Sequence, residues 1–184
     1  NRSEEPSAKS QRAIHQSPVY QCVTVGLEEE VMAETVVCVG AVVKRGARVL
    51  LVRQAAGHSL AGQWTVPWGR LEQGESPSLA ALRETAEEGG IIAALEGMLG
   101  VQELPAPWAG WIALVYLCHH VSGEPAADGV ETDAARYFSR TEFDGLDEPV
   151  EIWTRWLVQR LFDGKTTILR GHSDNPFGQQ GGHL

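Results

Sequence analysis

Four glutamates and one arginine stand at spacings suited to chemistry: Glu75, Arg83, Glu84, Glu87 and Glu88. On a helix, Glu84, Glu87 and Glu88 lie three and four residues apart and project from one side. Three carboxylates on one face repel one another, at a cost of roughly 0.2–0.5 kcal/mol per pair. Such a row is ordinarily a solvated acidic face. Its competing use is to hold magnesium, which takes hard oxygen ligands and shares carboxylates with water and substrate phosphate. Carbonyl oxygens of a Gly-containing loop can join that shell. Arg83 can bridge carboxylates, with Glu75 and Glu87 as candidates, and so keep the row in register. Spacing alone leaves both readings open.

The elements that must carry these residues are legible around them. Ser76-Pro77 is a helix start, Ser as N-cap and Pro at the first helical position, and Gly89-Gly90 ends a helix running to Glu88. Leu79, Leu82 and Ala86 share a face and are expected to pack on a sheet, with the glutamates opposite. Upstream, β-branched runs at Val36 to Lys44 and Arg48 to Gln54 flank Lys44-Arg45-Gly46-Ala47 and predict a hairpin, followed by a loop from Ala55 to Glu75. Further strands are expected at Ile91 to Gln102, Trp111 to Val121 and Ala135 to Ser139. A second helix is expected from about Pro149 to Phe162, with Trp153 and Trp156 in the core. This order predicts an α/β fold, a mixed sheet with helices on both faces. Residues 1–34 form a polar N-terminal extension with a short strand at Val19 to Val25, residues 35–163 the folded domain, and residues 164–184 a frayed tail.

The segment from Gly69 to Ile91 resembles the Nudix box: Gly, five residues, Glu, seven residues, Arg-Glu, an aliphatic, any residue, Glu-Glu, any residue, Gly, aliphatic. Gly69, Glu75, Arg83, Glu84, Glu87, Glu88, Gly90 and Ile91 all match. Upstream, Gly62-Gln-Trp64-Thr-Val-Pro67-Trp-Gly69 looks like the family's approach loop. Thr85 stands where the family has Leu, Ile or Val, and Trp68 where Gly is frequent. The resemblance implies an α/β/α sandwich and Mg²⁺-dependent hydrolysis of a diphosphate linkage in a nucleoside diphosphate derivative, with Mn²⁺ as a substitute. It implies metal ligation by Gly69 (through its carbonyl), Glu84, Glu87 and Glu88, with catalytic roles for Arg83, Glu84, Glu87 and Glu131. Glu131, before Arg136-Tyr137-Phe138, stands for the acidic residue that many members bring from a later loop; Asp128 and Asp133 are weaker candidates. Arg53 is a candidate for phosphate, against an ordinary ion pair. Trp68, Trp108 and Trp111 can stack on a base, against simple packing. His119 and His120 read as strand residues. The alternative function is a catalytically silent Nudix domain acting as a nucleotide-binding regulatory module, but such domains lose box glutamates that this chain keeps.

Substrate choice is divided. The Gly-x-Trp-x-x-Pro approach is common in compact members that clear oxidised nucleotides, whereas a proline sixteen residues beyond the box, here Pro107, marks members acting on ADP-ribose. Pro105 beside it weakens that match. The net charge of −9 argues against a nucleic-acid polymer as partner, and a divalent cation reconciles it with a small anionic substrate. Cys22, Cys38 and Cys118 have neither zinc nor disulfide spacing, and Cys38 and Cys118 sit in apolar, strand-like runs where a buried free thiol is the usual outcome, which points to a reducing, cytoplasmic setting. No membrane span is expected, and related enzymes suggest a homodimer supported by the N-terminal segment.

Overall fold

The computed structural model describes residues 35–172, 174 and 175. The 1–34 extension, with its expected strand at Val19 to Val25, lies outside them. The predicted hairpin is β1 (Val37–Arg45) and β2 (Arg48–Gln54), turning through Gly46 at φ 63°, a conformation that favours glycine. The two strands share the rungs Lys44–Val49 and Arg45–Arg48 and then splay. Part of the expected loop fills the gap. β3 (Trp64–Thr65) pairs with β2, and β4 (Trp68–Arg70) pairs with β1. These strands are too short for periodicity to register.

On its other edge β1 runs parallel to β6 (Ile112–Ser122), and β6 is flanked by antiparallel β5 (Ile92–Glu103). The strand β7 (Thr132–Phe138) lines β2. The result is a seven-stranded mixed sheet ordered β3-β2-β1-β6-β5, with β4 on β1 and β7 on β2. One face carries α1 (Pro77–Gly89), whose Ala80 and Ala81 pack on Val39, Ala41, Val43 and Leu50. The other carries α2 (Arg140–Asp144) and α3 (Ile152–Phe162), whose Phe143, Leu157 and Val158 pack on Val42, Leu51 and Phe138. This is an α/β/α sandwich. Among the described residues, no helix is long and apolar enough to cross a membrane.

The face of α1 turned to the sheet differs from expectation. Ala80, Ala81, Glu84, Thr85, Glu88 and Gly89 are buried, whereas Leu79 is 53% exposed, Ala86 is exposed and Leu82 is half-buried. Small residues let the helix come close: a Cβ at Gly89 would lie 2.8 Å from Leu50 Cδ2. Of the three glutamates expected to face away, Glu84 and Glu88 are thereby held between helix and sheet, while Glu87 stays exposed. Thr85, in the aliphatic position of the box, is fully buried with its hydroxyl donating to the Ala81 carbonyl at 2.8 Å.

Three smaller differences have local causes. The short helix α2 (Arg140–Asp144), not expected from the sequence, is stabilised by a reciprocal capping box between its N-cap Ser139 and Glu142. α3 begins at Ile152 rather than Pro149, because Trp64 N–H donates to Pro149 O and Glu151 N–H to Trp64 O before the Glu151 carboxylate caps Trp153 and Thr154. Of the two tryptophans expected in the core, Trp153 packs against it half-buried, whereas Trp156 is 52% exposed, its ring beneath the Arg160 guanidinium. Beyond α3, the segment expected to fray pairs back on β5, Met98 and Leu169 exchanging both N–H···O bonds at 2.8 Å.

Candidate active site

The register of the acidic row is set by the ends of α1. Ser76 caps the first turn, accepting from Leu79 N–H, and Pro77 opens the helix. Gly90, at φ 67°, closes it by donating to Ala86 O. Between these ends Glu84 (4% exposed) and Glu88 (1% exposed) point into the seam below β4. Glu131 reaches the same place from the turn before β7, and each of the three offers a carboxylate oxygen within 4.8 Å of the others.

Each carboxylate is positioned by named donors. Glu88 Oε2 accepts from Trp68 N–H at 2.9 Å and Oε1 from Gln54 Nε2 at 3.1 Å. The wedge of β3 and β4 supplies the first donor and the end of β2 the second. Glu84 Oε1 accepts from Arg83 Nη1 at 2.7 Å. The same guanidinium donates to both oxygens of Glu75 at 3.0 Å, to Glu87 Oε2 at 2.8 Å and to Arg70 O at 3.2 Å. Arg83 therefore locks the helix, the loop before it and β4 together, as its bridging role predicts. Gly69 lies directly against Glu84: a Cβ there would stand 2.0 Å from Oε1. Glycine is required at that point for the carboxylate to fit.

Burial dominates the electrostatics. It pushes the Glu88 carboxyl up to about 8, against the hydrogen bonds from Trp68 and Gln54, with Glu84 and Glu131 adding repulsion. Burial also raises Glu84, against the opposing pull of Arg83. Two buried carboxyls and a third at the solvent edge make a pocket that attracts positive charge. The donor set is entirely oxygen, the type that hard divalent cations take, so the residues present fit such an ion.

The remaining candidates fall in different places. The Glu87 side chain is exposed and paired with Arg83, and it does not join Glu84, Glu88 and Glu131. Arg53 lies on the opposite face of β2 from Gln54, as strand alternation requires. Its guanidinium bonds Asp133 Oδ1 and Glu148 Oε2, each at 2.7 Å. Trp68 and Trp108 meet edge to face at 6.4 Å and line a largely apolar cavity of about 210 Å³ with Leu60, Val66, Leu104 and Trp153; Trp111 is not in its wall. His119 approaches Glu96 and His120 bonds the Tyr137 hydroxyl, both on strand β6. Asp128 carries the turn that precedes β7. Gln54 was not legible as a site residue; a polar residue closing an apolar strand is its only sequence signal.

Comparison with known proteins agrees with this geometry. The NUDIX domain profile matches residues 34–161. A MutT-like protein of Streptomyces ambofaciens is 30% identical over 133 residues, covering 72% of this chain and 80% of that one. An ADP-ribose pyrophosphatase of Methanocaldococcus jannaschii is 26% identical over 126 residues, 65% and 73% of the two chains. The crystal structure of a MutT NUDIX hydrolase from Burkholderia pseudomallei has a TM-score of 0.58 at 32% identity, covering 70% of this chain and 98% of that one. The domain match and these relatives define a hydrolase of the diphosphate-cleaving type. The chain belongs to the Nudix family and is a Nudix pyrophosphohydrolase.

Proposed function

We propose that this enzyme hydrolyses the diphosphate linkage of a small nucleoside diphosphate derivative with Mg²⁺, or Mn²⁺ in its place, held by Glu84, Glu88 and Glu131. The observation that carries the reading is the convergence of these three carboxylates within 4.8 Å, two of them buried. When bound, a divalent cation supplies neutralisation of diphosphate charge and acidification of water. The chain's own residues do the rest. Trp68 N–H and Gln54 fix Glu88, and Arg83 fixes Glu84, so the carboxylates need little reorganisation when substrate arrives. Glu131 is the exposed member, open to substrate water, and is assigned the role of proton acceptor. Glu87 keeps Arg83 in place from the solvent side.

Trp68 joins the two halves of the site: its N–H holds Glu88 and its ring walls the apolar cavity. We assign that cavity to the base and the acidic seam to the diphosphate. The Methanocaldococcus jannaschii relative is named for ADP-ribose and the MutT-like relatives name no substrate, so the substrate assigned to this enzyme is the broad nucleotide class. The buried free thiols of Cys38 and Cys118 support a reducing compartment, the cytoplasm.

The test is product release from a panel of canonical and oxidised nucleoside triphosphates and ADP-ribose, with and without Mg²⁺. Turnover of at least one compound that stops in EDTA is expected. If none turns over, and Glu88→Gln leaves nucleotide binding unchanged, the regulatory-module alternative replaces the enzyme reading.

A further inference from the structure

The turn that delivers Glu131 is built around a side chain to which neither the family match nor the relatives give a role. Asp128 Oδ1 accepts from the backbone N–H of Val130 at 3.0 Å, of Glu131 at 3.0 Å and of Thr132 at 2.8 Å. Oδ2 adds a second contact to Glu131 N–H at 3.2 Å. A single carboxylate thus organises three consecutive amides, the arrangement by which Asp replaces a backbone turn with its own side chain.

The turn is also anchored to the two elements that hold the rest of the cluster. Glu131 O accepts from Ala55 N–H at 2.8 Å, just beyond the end of β2 that carries Gln54. Thr132 Oγ1, fully buried, donates to the Glu88 carbonyl at 2.9 Å and so ties the turn to the end of α1. The register slip between Arg53 and Gln54 leaves Asp133 without a partner rung on β2, which brings Thr132 opposite Gln54. The Glu131 peptide is therefore held at both its N–H and its C=O, although its side chain is exposed.

We infer that Asp128 is a positioning residue, whose turn sets the Glu131 carboxylate against Glu84 and Glu88 and thereby tunes divalent-cation affinity and turnover. Asp128 itself does not join the three converging carboxylates; it acts through Glu131. An exposed glutamate on a free loop would lose backbone as well as side-chain entropy each time it closed on a cation, and the Asp128 turn removes the backbone share in advance. Partners that orient a metal's ligands contribute about 10–100-fold in affinity or activity.

This inference rests on Glu131 belonging to the cation site, and the experiment separates the two. Mn²⁺ binding to the full chain is measured by titration calorimetry for the parent, Glu131→Gln, Asp128→Ala, Asp128→Asn and the Asp128→Ala/Glu131→Gln pair. Folding is checked by circular dichroism, and kcat and KM are measured with the substrate found on the panel. Asp128→Ala is expected to raise the Mn²⁺ Kd about 10-fold and lower kcat with little change in KM, while amide exchange at Val130, Glu131 and Thr132 accelerates. The double variant should bind no more weakly than Glu131→Gln alone. Asp128→Asn, which retains the accepting oxygen, should return the Kd to within about threefold of the parent. Thr132→Val, which loosens the same turn from α1, should move the Kd in the same direction and serves if Asp128→Ala does not fold. Parental Mn²⁺ affinity in Glu131→Gln overturns the cluster reading and the inference together. Weakened binding in Glu131→Gln with parental binding in Asp128→Ala, or fully additive losses in the pair, overturns the inference alone.

Discussion

Gly69→Ala puts the acidic seam to a quantitative test. The added methyl carbon would lie 2.0 Å from Glu84 Oε1, 2.2 Å from Cδ and 2.5 Å from Oε2. Ordinary contact begins at 3.4 Å, so the carboxylate must retreat by about 1.4 Å unless β4 moves instead. β4 is held by its rungs to β1 and by the Trp68 N–H bond to Glu88, whereas Glu84 has rotatable bonds. Glu84 is therefore the group that yields, drawing on its 2.7 Å bond to Arg83. Displacement of a reacting or ligating group by about 1 Å can cost on the order of 100-fold in rate, which is about 2.7 kcal/mol of transition-state stabilisation. Gly69 does not have the left-handed φ that would strain alanine, so the fold should persist. Steady-state kinetics should give a kcat/KM lower by about 100-fold, with a circular dichroism spectrum like the parent's. In a Glu84→Ala background the same substitution should cost almost nothing, because the atoms it displaces are gone. A kcat/KM within threefold of the parent, or fully additive losses, would refute the reasoning.

Other expectations follow from the same geometry. Arg83→Gln removes the bonds to Glu75, Glu84 and Glu87 and should lower unfolding free energy in urea by about 2 kcal/mol. Bonding to Arg83 holds the Glu75 carboxyl below its ordinary 4.5, so its contribution is present at neutral pH and lost as pH falls. Thermal melts below pH 4.5 should consequently show a steeper loss in the parent than in Arg83→Gln. Glu88 has the opposite sign. Folding raises it from 4.5 to about 8, so the metal-free protein binds more protons folded than unfolded in that window and loses stability as pH rises through it. Melts in EDTA should show this decline, saturating Mg²⁺ should flatten it, and a flat profile in EDTA would count against a buried Glu88. Gly97→Ala would bring a Cβ 2.6 Å from Leu169 O and should release the segment after α3, seen as faster amide exchange at Met98 and Leu169 and a stability loss of about 1–3 kcal/mol.

The elements most legible in the sequence were those marked by backbone chemistry. Ser76-Pro77 and Gly89-Gly90 delimit α1 to within a residue, and β-branched runs locate β1, β2 and β6. The face of α1 was misleading for a physical reason. Apolar periodicity assumes that leucines seek the sheet, but here the seam must accommodate two carboxylates, so alanine and glycine make the close approach and Leu79 is left to solvent. The three-residue and four-residue spacing correctly grouped Glu84 and Glu88 but could not separate them from Glu87, whose direction depends on where the sheet lies. Glu131 was reachable only through the family pattern. Its proximity to α1 depends on the splayed hairpin and the β7 register, which are long-range facts that no local window contains.

The parallel pairing of β1 with β6 also bears on how the protein is made. Val37 waits for Ile112, 75 residues later, and parallel pairings at such separation are slow because loop closure comes before any reward. On a ribosome adding about 5–20 residues per second, β1 to β4 emerge before the helix with its acidic row, the strand that completes the centre of the sheet follows seconds later, and Glu131 comes after that. The third carboxylate reaches Glu84 and Glu88 only once the turn before β7 has been made, so ambient magnesium would favour the final step of folding over the early ones.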